Sequence, residues 1–150
     1  MKTTFSQLAE KGPINHLVLS SGGAGPSGNF LDQDLAGLMD IWNKKYWCEV
    51  IPARYGAPLL PKTSDSSIVF VTGILNKKIG PGIGQKVAVN AGLEALAKGL
   101  ATELKPIRVN CISPDKIVDD RNDPRDTGHT EFKTTFDDVG QSIVGLLLNK

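Results

Sequence analysis

At 150 residues, with 40% apolar and 22% charged side chains, the chain has the make-up of one soluble domain with a modest core. Its formal net charge of +1 supplies no broad field for nucleic acid or an anionic membrane, and no interleaving of basic and aromatic residues adds one. Two cysteines, Cys48 and Cys111, make no disulfide framework and point to reduced thiols in a cytoplasm; no apolar run nears the roughly 18 residues of a membrane span, and the leading MKTTFSQLAEKG has no apolar signal core.

Taken in order, Thr4 to Lys11 reads as a short helix, or the tail of a longer one, closed by Gly12-Pro13. Ile14 to Ser20, INHLVLS, reads as a strand with a buried apolar run. Asp32 or Asp34 caps a helix that runs to about Ile51, in which Leu35, Leu38, Met39, Trp42 and Tyr46 share a face suited to core or interface. Pro52 to Lys62 is a proline-rich exit, Ser66 to Thr72 a buried strand, and Asn76 to Gly84 a loop rich in glycine and lysine.

From Gln85 to Leu104 the spacing of Val89, Leu93, Leu96, Leu100 and Leu104 predicts a helix. A second stripe, Ala88, Gly92, Ala95 and Gly99, is all small; glycine costs a helix roughly 1 kcal/mol against alanine, so two in line imply a close neighbour. Lys105-Pro106 ends the helix, Ile107 to Ile112 is a short β-branched strand, and Ser113-Pro114 stops it. Asp115 to Thr134 is polar and without period. A last helix runs from Thr135, its cap, to Leu148, with Val139, Ile143, Leu146 and Leu147 apolar. Three strands near 14–20, 66–72 and 107–112 with helices between them predict an α/β fold, a Rossmann-like three-layer remnant with a parallel sheet of about three strands in a single partial domain over 1–150. Right-handed crossovers would put both long helices on one face.

The stretch Gly23-Ala24-Gly25-Pro26-Ser27-Gly28 satisfies G-x-G-x-x-G. A dinucleotide fingerprint should open a helix at once and be followed within about 20 residues by a strand ending in Asp or Glu. Here Asn29 to Gln33 intervenes and the next strand ends Val71-Thr72-Gly73, so the stretch reads as a glycine-rich loop before a helix. His16 and His129 have no metal-ligand spacing, and Ser113, Cys111 and His129 form no recognisable nucleophile set.

The run ALAKGLATELKPIRVNCISP resembles the short-chain dehydrogenase/reductase family at its fifth helix and sixth strand, and the resemblance extends from about Phe5 to Asn149. Family members are longer, so this chain is expected to hold only their middle and later parts, without the first βαβαβ half that carries the phosphate loop and without the last strand. The resemblance implies hydride transfer between NAD or NADP and a carbonyl or alcohol. It also implies a tyrosine that gives or takes the proton, a lysine four residues on, a serine that positions the carbonyl, and an asparagine that holds a water chain. Those places fall on Lys86, Asn90, Gly73 and Lys45; Asn43 is two residues off the last. Neither Tyr46 nor Tyr55 is followed four residues later by lysine, for Val50 and Leu59 stand there. The family's Asn-Asn-Ala-Gly after the fourth strand becomes Ser20-Ser21-Gly22-Gly23. Its Pro-Gly after the sixth becomes Pro114-Asp115, with Asp119 at the following threonine. Two carboxylates facing a polyanionic cofactor cost about 1 kcal/mol or more per close pair. The polar 115–134 stretch matches the family's substrate cover, or is a plain solvated loop.

Three readings follow. The chain is a divergent oxidoreductase of this family aided by another chain, or a pseudoenzyme that pairs with itself or a full-length relative, or a truncated product without function. The residues lead us to expect no useful affinity for NAD or NADP, no turnover, and a homo-oligomer held through the 32–51 and 85–104 helices.

Overall fold

A computed structural model describes residues 2–22, 25, 27–115, 117–118 and 134–148. Three strands, β1 (His16–Leu19), β2 (Ser67–Val71) and β3 (Arg108–Ile112), lie side by side in that order, all parallel. The register aligns Leu17, Ile68 and Val109, then Leu19, Phe70 and Cys111. These residues point to one face, where Ala53, Leu93 and Ala97 of the helices α3 (Cys48–Gly56) and α4 (Gly84–Glu103) complete the core. The opposite face carries Arg108, whose guanidinium donates to Leu146 O at 2.6 Å and Leu147 O at 2.8 Å, tying down the last carbonyls of α5 (Phe136–Leu148). With helices on both faces, all of β2 is buried. The parallel three-stranded α/β fold expected from the sequence is the one observed.

Four elements depart from the sequence reading. The first strand shortens to His16–Leu19 and buries only Leu19, while Val18 stays 38% exposed, because β1 is an edge and α5 lies over β2 and β3. The second helix does not stop at Ile51. It begins as α2 (Leu35–Ile41), widens into a π-helical stretch at Trp42–Trp47, and continues as α3 through Pro52 to Gly56. The return to α geometry falls at Cys48, whose carbonyl is the one Pro52 would crowd in a regular helix.

The π stretch also decides which side faces inward. An α-helix turns about 100° per residue, so positions four apart drift by about 40° each step. The wider turn absorbs that drift, and Ile41, Lys45, Glu49 and Ala53 all end up buried. The aromatic stripe therefore does not form the core: Leu35 and Met39 are 77% and 65% exposed, and Tyr46 packs at the core's margin.

Tyr46 also explains one member of the small-residue stripe, since a Cβ on Gly92 would sit 3.4 Å from its ring. Ala88, Ala95 and Gly99 are exposed. The fourth departure is a pair of two-residue strands, β4 (Ile117–Val118) and β5 (Thr134–Thr135), parallel to each other, inside what reads as an aperiodic stretch. Residues 119–133, with Asp119 and His129, lie outside the described residues.

Caps behave as the side chains dictate. Asp34 accepts from Gly37 N at 2.7 Å, and Thr135 and Asp138 cap α5 reciprocally at 3.1 and 2.8 Å. The short helix α1 (Lys2–Ala9) stacks Phe5 on Tyr55 of α3, and Gly56 lets that corner close, for a Cβ there would lie 2.8 Å from Leu17.

Candidate functional site

The carboxyl ends of β1 and β2, the first turns of α4 and the start of the π stretch surround a cavity of about 320 Å³. Ligands of open parallel sheets bind in this place. Its walls include Gly22 after β1, Thr72 and Gly73 after β2, Lys86 and Asn90 on α4, and Lys45. The four positions singled out by the family resemblance, Lys45, Gly73, Lys86 and Asn90, are thus brought together, although they span 45 residues of sequence.

Lys45 is buried and its three ammonium protons are all taken. Its Nζ donates to Val71 O at 2.7 Å, to Glu49 Oε1 at 2.6 Å and to Ser21 O. Glu49 has no exposed surface, and its Oε2, like Ser21 Oγ, completes no hydrogen bond among the described residues. Burial pushes the Glu49 carboxyl up to about 7, against the opposing pull of Lys45 and the approach of the Ser21 hydroxyl. Asn90 turns its amide to Gly73 O at 3.1 Å. Lys86 is half-buried and donates to Ser27 Oγ at 2.6 Å.

Ser27 belongs to a glycine loop laid over the cavity's rim, where Gly28 N donates to Gly82 O at 3.0 Å and Gln33 Nε2 to Gly28 O at 2.7 Å. Gly82 sits at φ +74°, and a Cβ there would meet Gly28 N at 3.2 Å, so any other residue would be strained and tightly packed. The helix that follows this loop starts at Leu35, past a 3₁₀ turn at Phe30–Asp32, so the loop does not open it directly. Trp42 Nε1 donates to Gln85 Oε1 at 3.1 Å on the same side.

Beside the cavity, Thr72 Oγ1 meets Ser113 Oγ at 2.9 Å and Ser113 donates to Glu94. Burial acts to raise the Glu94 carboxyl, but Ser113, Asn76 and Lys77 outweigh it and hold it below the usual carboxylate range. Of the other residues expected at a cofactor site, Ser20 is exposed and off the cavity, Ser21 contributes its carbonyl to Lys45, and Pro114 accepts from Ile74 N at 3.0 Å; Gly23 lies outside the described residues. Asp115 is paired with Lys78. No cluster of metal-ligating side chains occurs among the described residues. Sequence reasoning missed Glu49 and Ser27. The spacing Lys45-x-x-x-Glu49, one helical turn apart, is the signal that would have found the first.

A parallel sheet with its crevice at the strand ends defines a Rossmann-like α/β protein. The family model described as Enoyl-(Acyl carrier protein) reductase matches residues 1–140. A short-chain dehydrogenase/reductase, ATR9 of Stachybotrys chlorohalonatus, is 31% identical over 119 residues, covering 73% of this chain and 43% of the relative. Among solved structures, a small-chain dehydrogenase in complex with NADPH is 33% identical with a TM-score of 0.70, covering 78% of this chain and 52% of that one. A short chain dehydrogenase from Burkholderia cenocepacia in complex with NADP superposes with a TM-score of 0.82 at 21% identity, over 98% of this chain and 64% of that one, and speaks for the fold. The chain belongs to the short-chain dehydrogenase/reductase family. It spans less than half the length of the curated relatives it matches.

Proposed function

We infer that this chain is a cytoplasmic oxidoreductase-family protein, tied by kinship to NAD or NADP, that performs no hydride transfer of its own. One observation supports the reading: Gly73, Lys86 and Asn90, which the family resemblance assigns to the serine, tyrosine and lysine, all line the cavity and none of them offers that chemistry. The nicotinamide, when bound in a relative, supplies the hydride. The residues here do not fit the rest of that chemistry. Gly22 and Gly73 offer bare backbone against which a flat ring could lie, but Asn90 spends an amide proton on Gly73 O rather than on a ribose. No phenol lines the cavity to donate a proton to a carbonyl. Pairing with Lys78 neutralises the Asp115 carboxylate, so the repulsion expected there is weaker than the sequence implied.

The test is twofold. Calorimetry of the purified chain with NADPH and NADH should show no binding in the micromolar range, and NADPH oxidation with aldehydes, ketones and enoyl thioesters should stay at background. A low-micromolar dissociation constant overturns the first half. Turnover that survives repurification and vanishes in Lys86→Ala overturns the second and makes Lys86 the acid.

A further inference from the structure

We propose that Lys45 and Glu49 form a proton-sensitive clamp on one wall of the cavity: protonation of Glu49 loosens the hold of Lys45 on Ser21 and frees the Ser21–Gly22 backbone from the end of β2. This concerns the chain's own interior and stands whether or not a nucleotide binds.

The pairing of β1 with β2 ends at Leu19 opposite Phe70. Beyond that point the ladder no longer holds the two strands together. Lys45 replaces it by bridging Ser21 O and Val71 O with one ammonium group. The bridge is at the cavity's surface, for a Cβ added to Gly22 would lie 3.8 Å from Lys45 Nζ. The charge that balances this ammonium is Glu49 Oε1 at 2.6 Å, on a residue with no exposed surface. A buried ammonium whose counter-charge is removed is costly, and the adjoining cavity of about 320 Å³ gives this one somewhere to go.

Among the described residues, the charged and titratable groups that face Glu49 come from every element packed against it. Lys45 comes from the same helix. From the end of β2 and the segment just after β1 come, among the described residues, the Val71 carbonyl and the neutral Ser21 hydroxyl. From β3 comes the Cys111 thiol, itself pushed up by burial and by the Glu94 and Glu49 charges. From α4 come neutral Asn90 and, across the cavity, Lys86. The burial that raises Glu49 to about 7 places the event near neutral pH.

Trp42 is a built-in reporter, since its indole is held by Gln85 beside the cavity; Trp47→Phe removes the only other tryptophan. In that background we expect Trp42 emission to change sigmoidally between about pH 5.5 and pH 8.5, with a midpoint near that of the Glu49 carboxyl carbon followed by NMR. Glu49→Gln should abolish the emission change while leaving His16, bound to Ser67 at the other end of β1, in place. Lys45→Met should abolish the emission change but keep a carboxyl titration. Flat emission while Glu49 titrates overturns the clamp, as does a transition that persists in Glu49→Gln. Should Glu49→Gln fail to fold, the unsubstituted carboxyl decides: a Glu49 midpoint below about pH 5, close to the ordinary glutamate value, overturns the proposal equally.

Discussion

A carboxyl held near 7 in the fold and at 4.5 in the unfolded chain makes Glu49 a source of pH-dependent stability. The folded state binds the proton more tightly. Glu49 therefore contributes stability that is full below about pH 4.5 and is lost as the pH rises through 7. The linkage is worth at most about 3 kcal/mol. Protonation thus steadies the molecule as a whole by neutralising a buried charge, even as the wall beside Ser21 loses its tie. We expect the difference in Tm between the unsubstituted protein and Glu49→Gln to change in favour of the unsubstituted protein on moving from pH 8 to pH 5.5. Calorimetric scans of both at each pH check this, and a difference independent of pH counts against it. At this scale the sequence showed half of the arrangement. Lys45 was visible because it stands where an asparagine was expected. Glu49 was not, because a lone glutamate on a helix reads as solvated until the π stretch turns it inward.

Among the elements, α5 is tied to the sheet it packs on by one charged fork. Arg108 reaches from β3 across the sheet to Leu146 O and Leu147 O and also donates to Ser64 O at 2.8 Å. Charge-assisted bonds of this kind contribute about 1.5–3 kcal/mol, so Arg108→Ala should destabilise by about that much and should loosen α5 first. Amide exchange resolved along the chain would show faster exchange in α5 than in β2; uniform loss of protection would contradict the assignment. Helix α4 and strands β2 and β3 are legible because their apolar patterns are unbroken and their stops are clear, proline pairs after α4 and β3 and Gly73 after β2. By sequence, Pro52 cuts the 35–56 helix short. A proline ordinarily ends a helix, and nothing local in the sequence announces the wide turn that tolerates this one.

For the whole molecule, part of the exposed apolar surface lies along the 35–56 helix, on Leu35 and Met39 of α2, Trp47, and Ile51 and Tyr55 of α3, while Leu31, Ile79 and Phe136 are exposed elsewhere. Beside that helix run the small, solvent-facing Ala88, Ala95 and Gly99 of α4. We propose that the 35–56 helix is where the chain pairs with itself, since exposed apolar side chains favour association and two-fold self-pairing is the commonest closed solution. We expect a homo-oligomer by light scattering after gel filtration, shifted toward monomer in the double variant Leu35→Asp, Met39→Asp without loss of helical content. A monomer at micromolar concentration in the unsubstituted protein rules the interface out. Gly92→Leu is a poor probe of it, since the leucine would strike Tyr46 of its own chain.

The saturated ammonium of Lys45 has one more consequence, in reactivity rather than in structure. An amine acylates only through a free lone pair, and this one has every proton engaged and almost no surface. Lys44, one residue away, points outward with its side chain 62% exposed. At about pH 9, where Glu49 is ionised and the clamp is closed, an amine-acylating reagent should therefore modify Lys44 within its ordinary lifetime and leave Lys45 untouched until the chain unfolds. Peptide mapping of the two neighbours after timed labelling would then read the frequency of global opening directly, with Lys44 as the internal clock.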